Sequence, residues 1–216
     1  MAPIWNSSGR FDAAARNWDD NPRRMDLARL IFETLERNVP LSSDWRVLEI
    51  GCGTGLVSRP LAEKTASLLA VDTSREMLRM LEEKISAAGP GNVETVEGDI
   101  SSVRREHEPG VPFNLVFSAM TFHHIVDPRL AVRQAHALLA EGGWLAIADL
   151  DKEDGCFHDD SNQEVHHGFE RKSFETMLRE EGFREISFST AASVTKINRA
   201  GKERIYTVFL AVSRKQ

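Results

Sequence analysis

Only two cysteines occur among the 216 residues, Cys52 and Cys156, far apart and without C-x-x-C spacing. Their scarcity excludes a disulfide framework and a cysteine-ligated zinc site. No apolar run approaches the length of a membrane-spanning helix, and the opening residues, MAPIWNSSGRFD, lack the apolar core of a signal peptide. No membrane partner is therefore expected, and a cytoplasmic enzyme is the default expectation. Positive charge is not in excess either. The formal net charge is −6, and Lys and Arg are dispersed instead of clustered. Such a chain repels phosphate backbones, so no nucleic-acid partner is expected. Repeats and low-complexity tracts are absent.

What is present is enough apolar material, 41% of residues, to bury a continuous core at this length. The length suits one α/β domain, with a helical cap over 1–40, a core over 41–151 and terminal elements over 152–216. Residues 11–19 (FDAAARNWD) read as a short helix with Phe11, Ala14, Ala15 and Trp18 on one face, stopped by Asp19-Asp20-Asn21-Pro22. Leu27, Leu30, Ile31, Thr34 and Leu35 mark a second helix.

From residue 46 the chain alternates strand and helix. Strands are expected at 46–50, 67–72, 93–99, 113–120 and 144–150. Helices are expected at 56–66, from a Thr73–Glu76 capping box onward, and from Asp127-Pro128 to about Ala140, where Gly142-Gly143 end the last of them. Strands separated by helices pair in parallel, because a parallel connection needs a long crossover. After a polar stretch at 152–168 come a helix around 171–181 and two strands, 183–194 and 204–213, joined by a short loop with Asn198 and Gly201. The fold expected is an α/β, Rossmann-like three-layer sandwich. Its sheet has seven strands, mostly parallel, with one antiparallel C-terminal strand at its end.

The chemistry concentrates at the strand ends. Gly51, Gly53 and Gly55 follow the first strand, where absent side chains let the backbone turn tightly and lie against a ligand. Asp72 ends the second strand, placed to accept from both hydroxyls of a ribose. Asp99, after Gly98, ends the third, placed to accept from an exocyclic amine. A glycine turn alone can be merely a tight strand–helix connection, whereas the three strand ends together fit a nucleoside-containing ligand. The spacing is G-x-G-x-G, with Leu56 where a dinucleotide site carries its third glycine. That argues against a pyrophosphate cradle and hence against an NAD(P)-dependent oxidoreductase.

In VLEIGCGTG (47–55), Asp72, Gly98-Asp99-Ile100, FNLVFSAMTFHHI (113–125) and 142–150, the chain resembles class I S-adenosylmethionine-dependent methyltransferases. The similarity is to the small-molecule type found in ubiquinone and biotin pathways, and FDAAARNWD resembles their cofactor-covering amino-terminal helix. The resemblance implies S-adenosylmethionine as cofactor and a small-molecule acceptor methylated at N, O, S or C. It implies backbone contacts from Gly51, Cys52 and Gly53, with Glu49 orienting the turn or the ligand amine. Asp72 would hold the ribose, Thr73 and Met77 flank the adenine, and Asp99 and Ile100 read its edge. Ser118 would line the methionine end, and Trp18 with Phe11 would cover the site. A non-catalytic cofactor-binding subunit remains an alternative, since no obligatory catalytic residue is visible.

On the acceptor side the candidate proton carriers are His124, beside His123 after the fourth strand, and His158, His166 and His167 in the polar stretch. The histidines and the aspartates after the fifth strand show no ligand spacing, and no metal is expected. The 152–168 segment and the amino-terminal helix are expected to wall the acceptor space.

Overall fold

A computed structural model describes residues 8–106, 111–159 and 164–216. Positions 1–7 of the amino-terminal cap and 160–163 of the polar stretch lie outside the described residues. The strands are β1 (Arg46–Ile50), β2 (Ser67–Asp72), β3 (Val93–Glu97), β4 (Phe113–Ala119), β5 (Leu139–Leu150), β6 (Phe183–Ile197) and β7 (Glu203–Lys215). They form one sheet in the order β3-β2-β1-β4-β5-β7-β6. Pairings from β3 through β5 are parallel, and β7 runs antiparallel to both β5 and β6. The turn joining β6 to β7 is too short for a crossover, which forces that pair antiparallel. The antiparallel strand accordingly sits between β5 and β6, one place in from the sheet edge.

Helices cover both faces, giving the three layers. On one face lie α2 (Pro22–Asn38), α3 (Ser58–Ala62) and α4 (Arg75–Ala88). Ile31, Leu35 and Leu61 pack there against Val47, Leu68, Phe117 and Leu210. On the other lie α5 (Ile100–Glu106), α6 (Pro128–Leu138) and α7 (Arg171–Glu180). Val132, Phe174 and Leu178 pack there against Leu48, Val116, Ile147 and Phe209. Adjacent residues of one strand belong to opposite cores, as the two-residue period of a doubly covered sheet requires.

Several local boundaries differ from the sequence pattern; the helix expected at 56–66, for instance, is Ser58–Ala62. The amino-terminal helix is α1 (Gly9–Ala14) continued by a 3-10 turn over Ala15–Asp20. The α4 cap is Ser74, whose hydroxyl accepts from the Met77 amide (3.2 Å), and not Thr73. Helix α6 ends at Leu138, and β5 begins at once, so Gly142-Gly143 lie inside a strand. Gly142 adopts φ +72 where the β4–β5 register shifts, and its carbonyl accepts from the Arg214 guanidinium. No described helix is long and apolar enough to cross a membrane.

Candidate functional site

The chain leaves β1 toward β2 on one side and later inserts β4 on the other. Neighbouring strands therefore feed their loops in opposite directions, and a crevice opens above their carboxyl ends. The crevice is a cleft between these strand ends and the amino-terminal cap. Its floor is Glu49 and 51–54 after β1, Asp72 and Thr73 after β2, and 119–121 after β4. Its roof is Phe11, Trp18 and Arg24, with Leu27, Ala28 and Ile31 of α2 behind them.

The glycine turn is shaped by both its neighbours and the cleft. Gly51 has φ +71, and a Cβ there would lie 2.3 Å from the Thr121 side chain. Gly53 has φ +55, but a Cβ there would meet nothing within 4 Å among the described residues. Gly53 is thus bare toward the cleft itself, as a backbone that approaches a ligand needs to be. Its amide donates to Asp72 Oδ2 (2.8 Å), and the Ser74 amide donates to Asp72 Oδ1 (2.9 Å). Each carboxylate oxygen keeps a second lone pair. Burial raises the Asp72 carboxyl above its ordinary range, against the pull of those amides.

Glu49 is buried, and its Oε2 has no hydrogen-bond partner among the described residues. Burial, reinforced by the charge of Asp72, pushes its carboxyl up to about 8. Such an orphaned acid in a cleft wall is a group arranged to meet a cationic or hydrogen-bonding ligand. Cys52 lines the same wall with its thiol pushed well up by burial, which makes it an inert lining group.

The roof is latched to the floor. Ser74 Oγ donates to Asp12 Oδ1 (2.6 Å), and the Glu76 amide donates to the same oxygen (3.3 Å). Thr54 Oγ1 donates to Asp19 Oδ1 (2.6 Å), and Lys84 Nζ bonds both Asp19 and the Thr54 carbonyl. Phe11 and Trp18 are held 5.9 Å apart between these latches, and the Arg24 guanidinium lies 3.7 Å over the Trp18 ring.

Of the residues singled out in the sequence, the cleft collects Trp18, Glu49, Gly51, Cys52, Gly53, Asp72, Thr73, Met77 and His124. Met77 is at once core and cleft lining, with only 1% exposed. Asp99, Ile100 and Ser118 are not among the lining residues. Asp99 Oδ1 instead accepts from the Ser101 amide (2.8 Å) and hydroxyl (2.5 Å) and so caps α5. Ile100 is turned into the core by its apolar side chain, and the buried Ser118 hydroxyl donates to the Ile50 carbonyl (2.9 Å).

The histidines separate. His124 borders the cleft edge-on to Phe11, at 5.2 Å between ring centroids. His123 is buried, with Nδ1 2.7 Å from Asp149 Oδ1. His158 lies against both, at 5.1 and 5.4 Å. Burial drives the His124 imidazole far below its ordinary range and lowers His158 to about 3, so both are neutral near pH 7. His166 is tied to the backbone, its amide to the His123 carbonyl and its Nε2 to the Ile125 carbonyl (2.9 Å). His167 is exposed, beside Gly155. Among the described residues, the 152–168 segment does not itself line the cleft; it reaches the cleft edge through His158 against His124.

Arg24, Thr54, Met120 and Thr121 are lining residues that the sequence did not single out. Thr54 sits inside the glycine motif, and Met120 and Thr121 directly follow β4, so strand-end position was a signal for them. Nothing local marked Arg24, which reaches the cleft only because the cap folds over.

Comparison with known proteins follows the same geometry. A family model described as "Methyltransferase domain" matches residues 23–199. The ubiquinone biosynthesis O-methyltransferase of Parvibaculum lavamentivorans is 26% identical over 158 residues, covering 66% of this chain and 61% of that protein. The chain spans about three fifths of the length of the curated relatives it matches. Among solved structures, a SAM-dependent methyltransferase from Aquifex aeolicus superposes with a TM-score of 0.65 at 20% identity, covering 98% of this chain and 100% of that one. Haemonchus contortus phosphoethanolamine N-methyltransferase 2, solved in complex with S-adenosyl-L-methionine, gives 0.68 at 17% identity, covering 95% and 60%. At these identities the structures show a shared fold.

Proposed function

The chain belongs to the Methyltransferase domain family, and on that premise we propose that it binds S-adenosylmethionine in the roofed cleft and methylates a small-molecule acceptor. The observation that carries this reading is the Gly53–Asp72 pair. A glycine bare toward the cleft is bonded to a carboxylate whose two oxygens each retain a lone pair for a ribose hydroxyl. The orphaned Glu49 oxygen fits the ammonium of the methionine portion, and Arg24 in the same cleft fits its carboxylate. Thr73 and Met77 flank the adenine.

When bound, the cofactor supplies a sulfonium-activated methyl group and a neutral thioether leaving group. The protein's share is to align, to exclude water and to accept a proton where the acceptor must lose one. Phe11 and Trp18 exclude water from above. His124 stands at the cleft border edge-on to Phe11, its imidazole kept neutral by burial. The proposal also places the reaction in the cytoplasm.

Titration calorimetry with S-adenosylhomocysteine tests this reading. One site per chain is expected, weakened about 10–100-fold by Asp72→Ala through loss of charge-assisted hydrogen bonds. Absence of binding, or stabilisation by NAD or NADP instead, overturns it.

A further inference from the structure

Beside the cleft, His123, His124 and His158 each offer one ring nitrogen, and these three atoms lie within 4.8 Å of one another. From this geometry we infer a three-histidine site for a divalent first-row transition ion of the zinc type, adjoining the cleft through His124. The site stands apart from the methyl-transfer reading and needs no bound nucleoside.

Three observations on the cluster carry it. His123 and His124 are presented by a 3-10 turn after β4, Phe122–His124, which sets their rings 4.0 Å apart. His158 comes from the segment after β5, and its Nε2 is buried without a hydrogen-bond partner among the described residues. A buried imidazole nitrogen left unsatisfied is costly unless a ligand meets it. Finally, His123 Nδ1 is held by the wholly buried Asp149 carboxylate at 2.7 Å, which leaves Nε2 as its remaining ligand atom. That carboxylate–histidine pairing fixes tautomer and orientation and raises ligand basicity, the arrangement that supports metal-bound histidines.

The chemistry of the donor set selects the ion. Three imidazoles suit zinc and its neighbours and not magnesium or calcium, which take oxygen. Three protein ligands also leave a fourth tetrahedral position for water or an acceptor heteroatom. Zinc–nitrogen bonds of about 2.1 Å at tetrahedral angles put the nitrogens roughly 3.4 Å apart. From separations of up to 4.8 Å, the nitrogens therefore need to close by at most about 1.4 Å, within the reach of small side-chain rotations. Arg10 and Lys196 oppose a cation at His158, and Asp149 favours one.

The test is a titration of the metal-stripped full chain with Zn²⁺ under chelator competition, repeated with Co²⁺ to read d–d absorption. One equivalent of Zn²⁺ per chain and the Co²⁺ bands of a four-coordinate nitrogen site are expected. His158→Ala should weaken Zn²⁺ binding by at least about 100-fold and Asp149→Asn by about 10–100-fold, with His167→Ala unchanged. Melting curves of each variant verify that the fold persists. Substoichiometric binding, or binding by His158→Ala equal to that of the parent, overturns the site. S-adenosylhomocysteine binding measured in parallel, with and without Zn²⁺, reports on the cofactor proposal separately. Its loss defeats that proposal and leaves the zinc count standing.

Discussion

Glu49 holds a proton in the folded chain that it gives up when the chain unfolds. Its carboxyl is raised from 4.5 to about 8 by burial. Between those values the unfolded chain is ionised and the folded one is not, so stability falls as pH rises through this window. The loss amounts to about 1.4 kcal/mol for each pH unit crossed inside it. Glu49→Gln should flatten that slope in urea unfolding measured at about pH 5 and about pH 8; equal slopes in variant and parent would contradict the assignment. A cationic ligand beside Glu49 favours the ionised form, so S-adenosylhomocysteine should release a proton on binding near neutral pH. Calorimetry in buffers of different ionisation enthalpy reads that release. Gly51 illustrates a different residue-level constraint. It combines positive φ with a Cβ direction blocked by Thr121. Gly51→Ala should cost about 1–3 kcal/mol, measured by denaturation, whereas Gly53→Ala should act more on ligand affinity than on packing.

At the scale of elements, α1 is held by hydrogen bonds more than by burial. Helix α1 has no buried residue, and its hold on the body passes through Asp12 to Ser74 and through Asp19 to Thr54 and Lys84. Ser74 serves two elements, capping α4 at Met77 and donating to Asp12. Elements with few buried apolar contacts open at low free energy. Asp12→Ala and Asp19→Ala should therefore speed amide exchange over 9–20 while leaving core exchange unchanged. They should also weaken S-adenosylhomocysteine binding, by about 10-fold for each charge-assisted bond lost. Unchanged exchange in both variants would show that packing of Phe11 and Trp18 alone holds the roof.

Over the whole molecule, one sheet carries two cores back to back, so the layers depend on each other. Leu48 in β1 is fully buried on the face covered by α5, α6 and α7, and its neighbour Val47 is fully buried on the other. Leu48→Ala should cost about 2–5 kcal/mol in a single cooperative transition, with an unchanged denaturant slope. Two separated transitions would show that the faces unfold independently. The cleft inherits this rigidity, because its floor consists of the first residues beyond three central strands.

Much of this was legible in the chain itself. Strand–helix alternation from Arg46 onward, the parallel sheet with a reversed last strand, and the glycine turn answered by Asp72 all follow from local requirements of backbone and periodicity. Such requirements leave their mark in adjacent residues. Which side chains meet in space leaves no such mark. Asp99 has the residue type and strand-end position of a ligand group, and the packing adds a second task, its Oδ1 capping α5 at the Ser101 amide. Arg24 joins the cleft only once the cap is latched down. His158 meets His123 and His124 only after two loops from different strands converge, so the spacing rules that reveal metal ligands within one segment are silent. Sequence determined the frame and its bare bend; the direction of each side chain was decided by how the elements dock, since register and packing, not proximity along the chain, choose what a strand end faces.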